Sequence, residues 1–326
     1  LWSIAPIGSL EFKDYKSPAE QAKLHRFITA SYNLSLLLSD KIFCRDEGVR
    51  KLVLGSLISL GRVNLDNYQK DSGLYNLVEA APFGVDGQKL PKIKGGYWQK
   101  YAGIKPGDFI LVWNGGIWNW NDGETLVRAM SLLKKYRIKL VFQGFKHPEP
   151  GQKSSVEAEK TLALAERLRL INKNVFFIDD WVPYNERYHF LGNSDAGIVC
   201  SPDIPEANLF FKTRVYDYLW AELPVILGDC EAFAPLIKTH GLGLIAKTGA
   251  SSDWAKHILL LSRDINLRRQ IRKNIKKYKQ TISWNKTLSP VKAFAMNPAA
   301  AADRLAANNH LAEASIRLSR DIVSSF

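Results

Sequence analysis

Long hydrophobic runs and paired cysteines are both missing from this sequence of 326 residues. No uninterrupted apolar run approaches the roughly 18 residues that indicate a membrane-spanning helix. The three cysteines, Cys44, Cys200 and Cys230, lie far apart without paired spacing, which argues against a disulfide framework and against a zinc site. We therefore expect a protein of a reducing compartment, with the cytoplasm as its location.

The start of the sequence also lacks familiar signals. The residues LWSIAPIGSL contain neither an initiating methionine nor the positively charged first region of a signal peptide. We therefore interpret the sequence as a fragment of a longer chain. Its apolar fraction of 46% is that of a globular protein, and its length is sufficient for two domains.

Acidic residues are in the minority, with 32 against 45 basic residues and a net charge of +13. The excess is concentrated between Arg263 and Lys292, where ten residues are basic and Asp264 alone is acidic. Such a segment is a solvated basic helix, a contact for an anionic membrane surface, or a contact for nucleic acid. The basic residues follow helical spacing without interleaved aromatics or a nucleic-acid-binding motif, so we expect no nucleic-acid partner.

The first 86 residues contain the pieces of half a doubly wound α/β domain. Residues 17–20, Ser-Pro-Ala-Glu, match a helix capping box with proline at the first helical position, and the apolar pattern after them predicts one long helix. A short strand at Lys41–Cys44, a helix at Glu47–Leu60 and an apolar run at Leu77–Pro82 follow. The interval Asp86–Gly107, rich in Gly, Pro and Lys, is typical of a linker.

From Asp108 to about Trp284, short apolar runs alternate with amphipathic segments, which predicts a Rossmann-like domain with six parallel strands. A Gly115-Gly116 turn follows the first strand, and Asn121 with Glu124 is predicted to cap the first helix. Glycines at such a turn let the backbone approach a ligand phosphate or simply permit a tight turn. The predicted strands are Asp108–Trp113, Lys139–Gln143, Val175–Ile178, a strand starting at Ala196, Val225–Leu227 and Gly243–Ala246.

The stretch Ala196–Asp229 carries the polar side chains that a phosphorylated ligand needs. Its pattern predicts a strand, a polar loop that holds Glu206, an amphipathic helix and a second strand. Lys212 and Arg214 lie near the start of the helix, and Asp217 lies one turn further on. Two cations and a helix N-terminus at this edge of a sheet can hold a diphosphate, while carboxylates accept hydrogen bonds from sugar hydroxyls. The alternative is that these side chains are the solvated face of a packed helix.

This arrangement resembles a known family. A strand ending in Ser201-Pro202, a loop Glu, a helix with a second acid, and then Pro224-Val225-Ile226 are similar to the donor-binding segment of the retaining family 4 glycosyltransferases, which have the GT-B fold. Most members have two glutamates eight positions apart before a Gly-x-Pro. Here Glu206 matches the first acid and Asp217 occupies the second position, so the gap is three residues longer. Glu222 stands where Gly is commoner.

Two further motifs extend the resemblance. Pro82–Asp86 resembles the PxGVD signature where the chain leaves the first domain, although a surface turn explains it equally well, and Trp284 with Pro290 resembles the SW…P tail that crosses back. The implied fold is α/β and GT-B-like, with a complete C-terminal Rossmann-like domain, a partial N-terminal one, and the first half of the N-terminal domain absent. The implied boundaries are a partial acceptor-side domain at 1–86, a linker at 87–107, a donor-binding domain at 108–284, and a crossover with an Ala-rich helical tail at 285–326.

The resemblance also assigns roles to individual residues. It implies that Glu206 orients the sugar hydroxyls and that Lys212 and Arg214 stabilise a leaving diphosphate. Asp217 is assigned to the ribose, and Trp181 with Val182 to the nucleotide base, with core packing of Trp181 as the alternative. The catalytic candidates are thus Glu206, Lys212 and Arg214, and the donor-binding candidates are Gly115, Gly116, Trp181, Val182 and Asp217.

In the family the glycine turn often carries an Arg and a nearby Lys for phosphate, and neither is present here. Lys212 and Arg214 are therefore expected to carry more of the phosphate binding, or Lys146 to help. The neighbouring His147 is a further candidate for a general base, although a polar turn histidine more often has no catalytic role.

The activity implied by the resemblance is hexosyl transfer from a nucleotide-diphosphate sugar, with retention, to a carbohydrate or lipid-linked acceptor. Asp179-Asp180 is not a DxD motif, and the family type works without a metal, so we expect none. Two alternatives stay open. In the first alternative, the chain is a nucleotide-sugar-binding remnant without turnover. In the second, it is a basic adaptor at the inner face of an anionic membrane, and its Rossmann-like domain is only structural.

Overall fold

The computed structural model describes residues 6–11, 17–86, 90–91, 93–146, 154–305 and 309–323. They divide into two compact units, one from Leu1–Gly84 with Trp284–Phe326 and the other from Val85–Ser283. The first segment contains a 3₁₀ helix at Pro6–Glu11, α1 (Pro18–Leu38), β1 (Ile42–Cys44), α2 (Glu47–Ser59), α3 (Leu65–Lys70) and β2 (Val78–Ala80).

The larger unit alternates strands and helices, with two further 3₁₀ turns at Trp98–Lys100 and Tyr184–Glu186. Its elements are β3 (Phe109–Asn114), α4 (Gly123–Leu132), β4 (Ile138–Gln143), α5 (Val156–Arg167), β5 (Val175–Ile178), α6 (Tyr188–Gly192), β6 (Ala196–Val199), α7 (Pro205–Leu209), α8 (Arg214–Trp220), β7 (Val225–Gly228), α9 (Ala234–His240), β8 (Gly243–Ala246), α10 (Ser251–Arg263) and α11 (Ile265–Lys279). The last segment returns to the first unit with α12 (Trp284–Thr287), α13 (Ser289–Met296), α14 (Ala302–Leu305) and α15 (Asn309–Val323).

The six strands of the larger unit form one parallel sheet in the order β5-β4-β3-β6-β7-β8. This confirms the predicted α/β fold with a six-stranded parallel sheet. The central strands are buried along most of their length, as expected where helices cover both faces of a parallel sheet. The winding direction reverses between β3 and β6, which is the point where ligands bind in open α/β sheets.

A buried tyrosine fills the gap where β3 and β6 part. The two strands pair at Leu111 with Ala196 and at Val112 with Gly197. Beyond that point the hydroxyl of Tyr218 donates to the carbonyl oxygen of Val112 at 3.0 Å and accepts from the backbone N of Asn114 at 3.0 Å. Burial raises the pKa of Tyr218 to about 12, so the hydroxyl keeps its proton. The side chain therefore holds the end of β3 beside the reversal point.

The ring of Tyr218 needs a glycine at position 197. A Cβ on Gly197 would lie 2.2 Å from Cγ of Tyr218, so we expect Gly197→Ala to lower the free energy of unfolding by about 3 kcal/mol. Gly95→Ala in the same unit is the control, because its Cβ would meet no atom within 4 Å. Urea denaturation followed by circular dichroism measures both variants, and equal midpoints would contradict the expectation.

The smaller unit has its own apolar core. The helix α1 begins as predicted, with Pro18 in its first turn and the side chain of Ser17 accepting a hydrogen bond from the backbone N of Glu20 at 3.2 Å. Its C-terminal half packs on α2 and the parallel pair β1-β2, and α15 packs along it. The buried cluster consists of Leu36, Ile42, Cys44, Val53, Leu57, Leu77, Val78 and Ala301.

A buried ion pair attaches the Ala-rich C-terminal segment to this unit. Arg62 and Asp303 are both fully buried, and two nitrogens of Arg62, Nε and Nη2, donate to the two carboxylate oxygens at 2.8 and 2.9 Å. The third nitrogen, Nη1, donates to backbone carbonyls of α1 and its C-cap, including that of Leu36 at 2.8 Å. The segment, for which the sequence suggested no role beyond helix formation, is thus part of the packed interior.

The boundary between the units coincides with the two crossover motifs. Within the smaller unit, Gly84 lies against Trp284, where a Cβ would come within 2.7 Å of the Trp284 backbone. Within the larger unit, Val85 and Ser283 form a parallel bridge. Among the described helices, none combines the length and the apolar character that crossing a bilayer requires.

Three local details differ from the sequence-based expectation. Asp122, rather than Asn121, caps α4 by accepting from the backbone N of Thr125 at 2.9 Å, because Asn121 is used in the preceding turn. Glu206 lies in the short helix α7 instead of a loop, since Pro205 favours a helix start. Within the expected linker, Trp98 is buried in the larger unit and donates to the hydroxyl of Ser194 at 3.1 Å.

Glu222 has a left-handed backbone with φ of +57°, which explains why glycine suits this position. Its carboxylate accepts from Nζ of Lys279 at 2.7 Å, and the same ammonium lies 3.3 Å from the carbonyl oxygen of Trp220. The ion pair therefore fastens α11 to the end of α8 at a site of backbone strain.

Candidate functional site

A cavity of about 310 Å³ lies at the carboxyl ends of β3, β4 and β5, beside the reversal point of the sheet. The loops after these strands form its walls, together with the starts of α5 and α8. The lining residues are Asn114, Gly115, Gly116, Ile117, Trp118, Gly144, Phe145, Ser154, Ser155, Ala158, Trp181, Thr213, Arg214 and Asp217.

The glycine turn after β3 presents bare backbone to the cavity. Gly115 has φ of +91°, a left-handed conformation that favours glycine, and its N donates to the carbonyl oxygen of Gln143 at 2.8 Å. The carbonyl oxygen of Gly116 accepts from Nη2 of Arg214 at 3.0 Å and from the indole N of Trp113 at 3.3 Å. No side chain at 115 or 116 obstructs the cavity, so a ligand can approach the peptide groups closely.

Arg214 brings an incompletely paired cation to this cavity. Its guanidinium lies over the ring of Trp113, 4.2 Å from the ring centroid, and Nη2 is held by Gly116. The other terminal nitrogen, Nη1, is buried and has no hydrogen-bond partner in the described part of the chain. Burial lowers the pKa of Arg214, but an arginine stays charged at neutral pH. A buried donor without a partner costs about 1–3 kcal/mol.

Asp217 is held in place by two side chains. One carboxylate oxygen accepts from the amide N of Asn114 at 3.0 Å, and the other accepts from Nε of Arg187 at 2.9 Å. Burial raises the pKa of Asp217, and the charge of Arg187 opposes that shift. Cζ of Arg187 also lies 3.6 Å from the ring centroid of Tyr184 and 4.1 Å from that of Trp220. The carboxylate thus has a fixed direction and spare acceptor capacity.

Two tryptophans border the cavity. Trp181 is 56% exposed, so it is not a core residue, and its ring lies about 3.8 Å from the position that a Cβ on Gly144 would take. Trp118 is 36% exposed and stacks on Trp120 with an interplanar angle of 18°. Flat, partly exposed rings at a cavity edge are suited to stacking on a planar ligand group.

Glu206 and Lys212 form a separate pair. The ammonium of Lys212 is buried and donates to the carboxylate of Glu206, and neither residue lines the cavity. Glu231, after β7, is 3% exposed; burial raises its pKa and the charge of Lys212 opposes that rise. The ammonium of Lys212, expected from the sequence to bind phosphate, thus has the Glu206 carboxylate as a partner in the structure.

The predicted site residues thus fall into two groups. Five of them line one cavity: Gly115, Gly116, Trp181, Arg214 and Asp217. The other three, Glu206, Lys212 and the half-buried Val182, do not line it. Lys146 pairs with Asp179 on the surface at 2.6 Å, and His147 lies outside the described residues.

Sequence reasoning missed Asn114 and Arg187. The sequence did indicate a position at the cavity for Asn114, since it stands directly before the glycine pair. Arg187 lies 30 positions from Asp217 and carries no local signal. In the described residues, no group of three or more His, Cys, Asp or Glu side chains is placed to hold a metal ion.

Several solved structures are similar to this chain. HepE of Anabaena in complex with UDP is 14% identical with a TM-score of 0.61, covering 87% of this chain and 71% of that one. A glycosyltransferase from Rickettsia africae is 16% identical with a TM-score of 0.57, covering 87% and 76%. Sucrose-phosphate synthase from Thermosynechococcus elongatus is 15% identical with a TM-score of 0.56, covering 83% and 71%. No curated protein sequence matches the chain.

The model of one protein family matches the chain directly. It is described as glycosyl transferases group 1, and it covers residues 99–278, which is more than half of the sequence. The match includes the glycine turn, Arg187, Arg214 and the whole six-stranded sheet. The chain therefore belongs to the glycosyl transferases group 1 family and has a fold of the GT-B type.

Proposed function

We propose that the protein transfers a sugar from a nucleotide-diphosphate sugar to a carbohydrate or lipid-linked acceptor, with retention at the anomeric carbon. The observation that carries the proposal is Arg214, a cavity-lining cation whose Nη1 is buried without a partner among the described residues. A diphosphate in the cavity would offer this guanidinium charge-assisted hydrogen bonds. The structures of HepE with UDP and with UDP-glucose support a donor of this class.

Each part of such a donor has a counterpart among the predicted residues. We assign the diphosphate to Arg214 and to the backbone of Gly115 and Gly116, and the ribose to Asp217. The base is assigned to the exposed ring of Trp181, with Val182 beside it. We assign Glu206, paired with Lys212 outside the cavity, to the hydroxyls of a sugar that extends beyond it.

The proposed chemistry needs little beyond positioning and charge. As the bond from the anomeric carbon to the diphosphate oxygen breaks, the diphosphate gains negative charge. Arg214 and the turn backbone stabilise that charge more in the transition state than in the ground state, which accelerates the step. The acceptor oxygen bonds to the same face of the sugar, and the departing phosphate takes its proton. Because a protein cation serves the diphosphate, we propose that no metal ion is required.

Isothermal titration calorimetry with UDP, GDP and their sugar derivatives tests the proposal. We expect one nucleotide sugar to bind selectively, and Glu206→Gln to weaken that binding roughly tenfold to a hundredfold while leaving the free nucleotide unaffected, since the lost hydrogen bond is to the sugar. Glu166→Gln, an exposed acid at the end of α5, is the matched control.

Donor hydrolysis in the same samples separates catalysis from binding alone. Slow release of free sugar that EDTA does not suppress agrees with the proposal. Selective binding without any release favours a nucleotide-sugar-binding remnant. Absence of binding by every nucleotide and nucleotide sugar would overturn the proposal.

A further inference from the structure

A second depression lies at the opposite edge of the large sheet, where β3, β4 and β5 begin. We call it the basic depression, and its volume is about 660 Å³. Six of its lining side chains are cationic, whereas Asp108 is the acid among them. The lining residues are Gly103, Lys105, Asp108, Lys134, Lys135, Tyr136, Arg137, Lys139, Asn172, Lys173 and Asn174.

The single acid of the lining does not neutralise this surface. Asp108 is paired with Nε of Arg137 at 3.0 Å and lies 3.9 Å from Nζ of Lys139. Burial lowers the pKa of Lys139, and the neighbouring charges of Arg137 and Lys105 lower it further, although Asp108 opposes them. Four of the lysines are exposed, so the depression presents a positive field to solvent. They are Lys105, Lys134, Lys135 and Lys173.

An apolar surface continues from the basic depression. A neighbouring groove of about 560 Å³ between α4 and α10 shares Lys135 and Tyr136 with it. The groove contains Leu132 and Leu260, which are 56% and 43% exposed. The ring of Tyr136 joins the two surfaces, with Nζ of Lys135 and Cζ of Arg263 lying 5.4 and 5.1 Å from its centroid.

Helix dipoles account for part of this charge but not for all of it. Lys134 and Lys135 follow the C-terminus of α4, and Arg263 lies in the last turn of α10, where cations are favourable. Lys105 and Lys173 precede strands instead. The exposed leucines beside the cations also have no explanation in a helix dipole.

We propose that this face of the larger unit docks on an anionic lipid bilayer. Lipid phosphates would occupy the basic depression, and the two exposed leucines would enter the interfacial region beside them. The positive charge favours an anionic partner. The adjoining exposed leucines favour a lipid bilayer over nucleic acid, because the phosphate backbone of nucleic acid offers no apolar surface for leucine to contact. The face lies away from the donor cavity, so this inference goes beyond the proposed function and does not depend on it.

Vesicle co-sedimentation tests the charge. The full chain should sediment with vesicles made of phosphatidylcholine and phosphatidylglycerol, and high salt should dissociate it from them. It should not sediment with vesicles of phosphatidylcholine alone. Lys134→Glu with Lys135→Glu should weaken binding at least about twenty-five-fold, since each of the two lost cations contributes about a factor of five near an anionic surface. The control is Lys146→Glu with Lys247→Glu, which makes the same charge change in exposed residues at the carboxyl edge.

A second variant tests the apolar part. Leu132→Ser with Leu260→Ser should weaken vesicle binding while the salt dependence stays unchanged, and melting curves confirm that all variants are folded. Equal binding by the wild type and the Lys134/Lys135 variant would overturn the proposal, as would equal binding to neutral vesicles. A DNA duplex that binds through the same lysines while vesicles do not would assign the face to nucleic acid instead.

Discussion

Replacing Arg214 with alanine is expected to lower the rate of donor turnover by about three orders of magnitude. The guanidinium lies at the cavity with one buried nitrogen that has no partner among the described residues, and the developing diphosphate charge is what would pair with it. Removing one preorganised donor to such a charge typically costs a factor of roughly 10²–10³, and removing a charged arginine costs as much or more. The measurement is donor hydrolysis, with UDP affinity from calorimetry.

The contribution of geometry can be separated from that of charge. Arg214→Lys keeps the cation but loses the planar fork that reaches Gly116 and the ligand together, so we expect intermediate turnover. Arg167→Ala, an exposed arginine in the last turn of α5, is the matched control and should behave as the wild type. Turnover by Arg214→Ala within a few-fold of the wild type would remove Arg214 from the proposed mechanism.

Asp303→Ala is expected to destabilise the smaller unit by about 3–5 kcal/mol. The substitution leaves the fully buried guanidinium of Arg62 without its counter-charge, which is the costly way to break a buried ion pair. The double variant Arg62→Met with Asp303→Leu removes both charges and should recover most of the loss. Asp66→Ala, at an exposed acid in α3, should have little effect. Urea denaturation measures the free energy of unfolding of these variants. Equal values for Asp303→Ala and Asp66→Ala would contradict this account.

The same pair predicts a pH dependence. Burial alone raises the pKa of Asp303, but the hydrogen bonds and charge of Arg62, with Asn67 and Asn64, outweigh it and hold the pKa below its ordinary value. A depressed carboxyl pKa adds stability that is complete above the unfolded pKa of about 3.9 and is lost as the pH falls through the folded pKa. The difference between the wild type and Asp303→Ala should therefore shrink between pH 5 and pH 2, as measured by urea denaturation across that range.

Local sequence patterns predicted the elements of the larger unit well because they depend on local physics. Short apolar runs bounded by turn residues located all six strands within one or two residues. The glycine pair and the Arg214 segment then fell at one edge, because parallel strands direct their carboxyl ends the same way. Five of the predicted site residues lie in one cavity for that reason.

Side-chain partners were harder to predict because they depend on distant parts of the chain. Asp217 and Arg187 meet across 30 positions, and Lys212 pairs with the partly buried Glu206 six positions away. The cap of α4 is Asp122 and not the predicted Asn121, because the Asn121 side chain accepts a hydrogen bond from the preceding turn, which the apolar periodicity does not predict. Tertiary contacts of this kind decide which of several suitable polar residues reaches a ligand.

The Arg62–Asp303 pair also bears on the order in which the molecule forms. Its members are 241 positions apart, and the entire larger unit is encoded between them. At translation rates of about 5–20 residues per second, Arg62 is synthesised on the order of 10–50 s before its partner. The larger unit is encoded by one continuous segment, whereas the smaller unit cannot complete its buried ion pair until Asp303 has been made. The ion pair of the smaller unit therefore forms only after every residue of the larger unit has been synthesised.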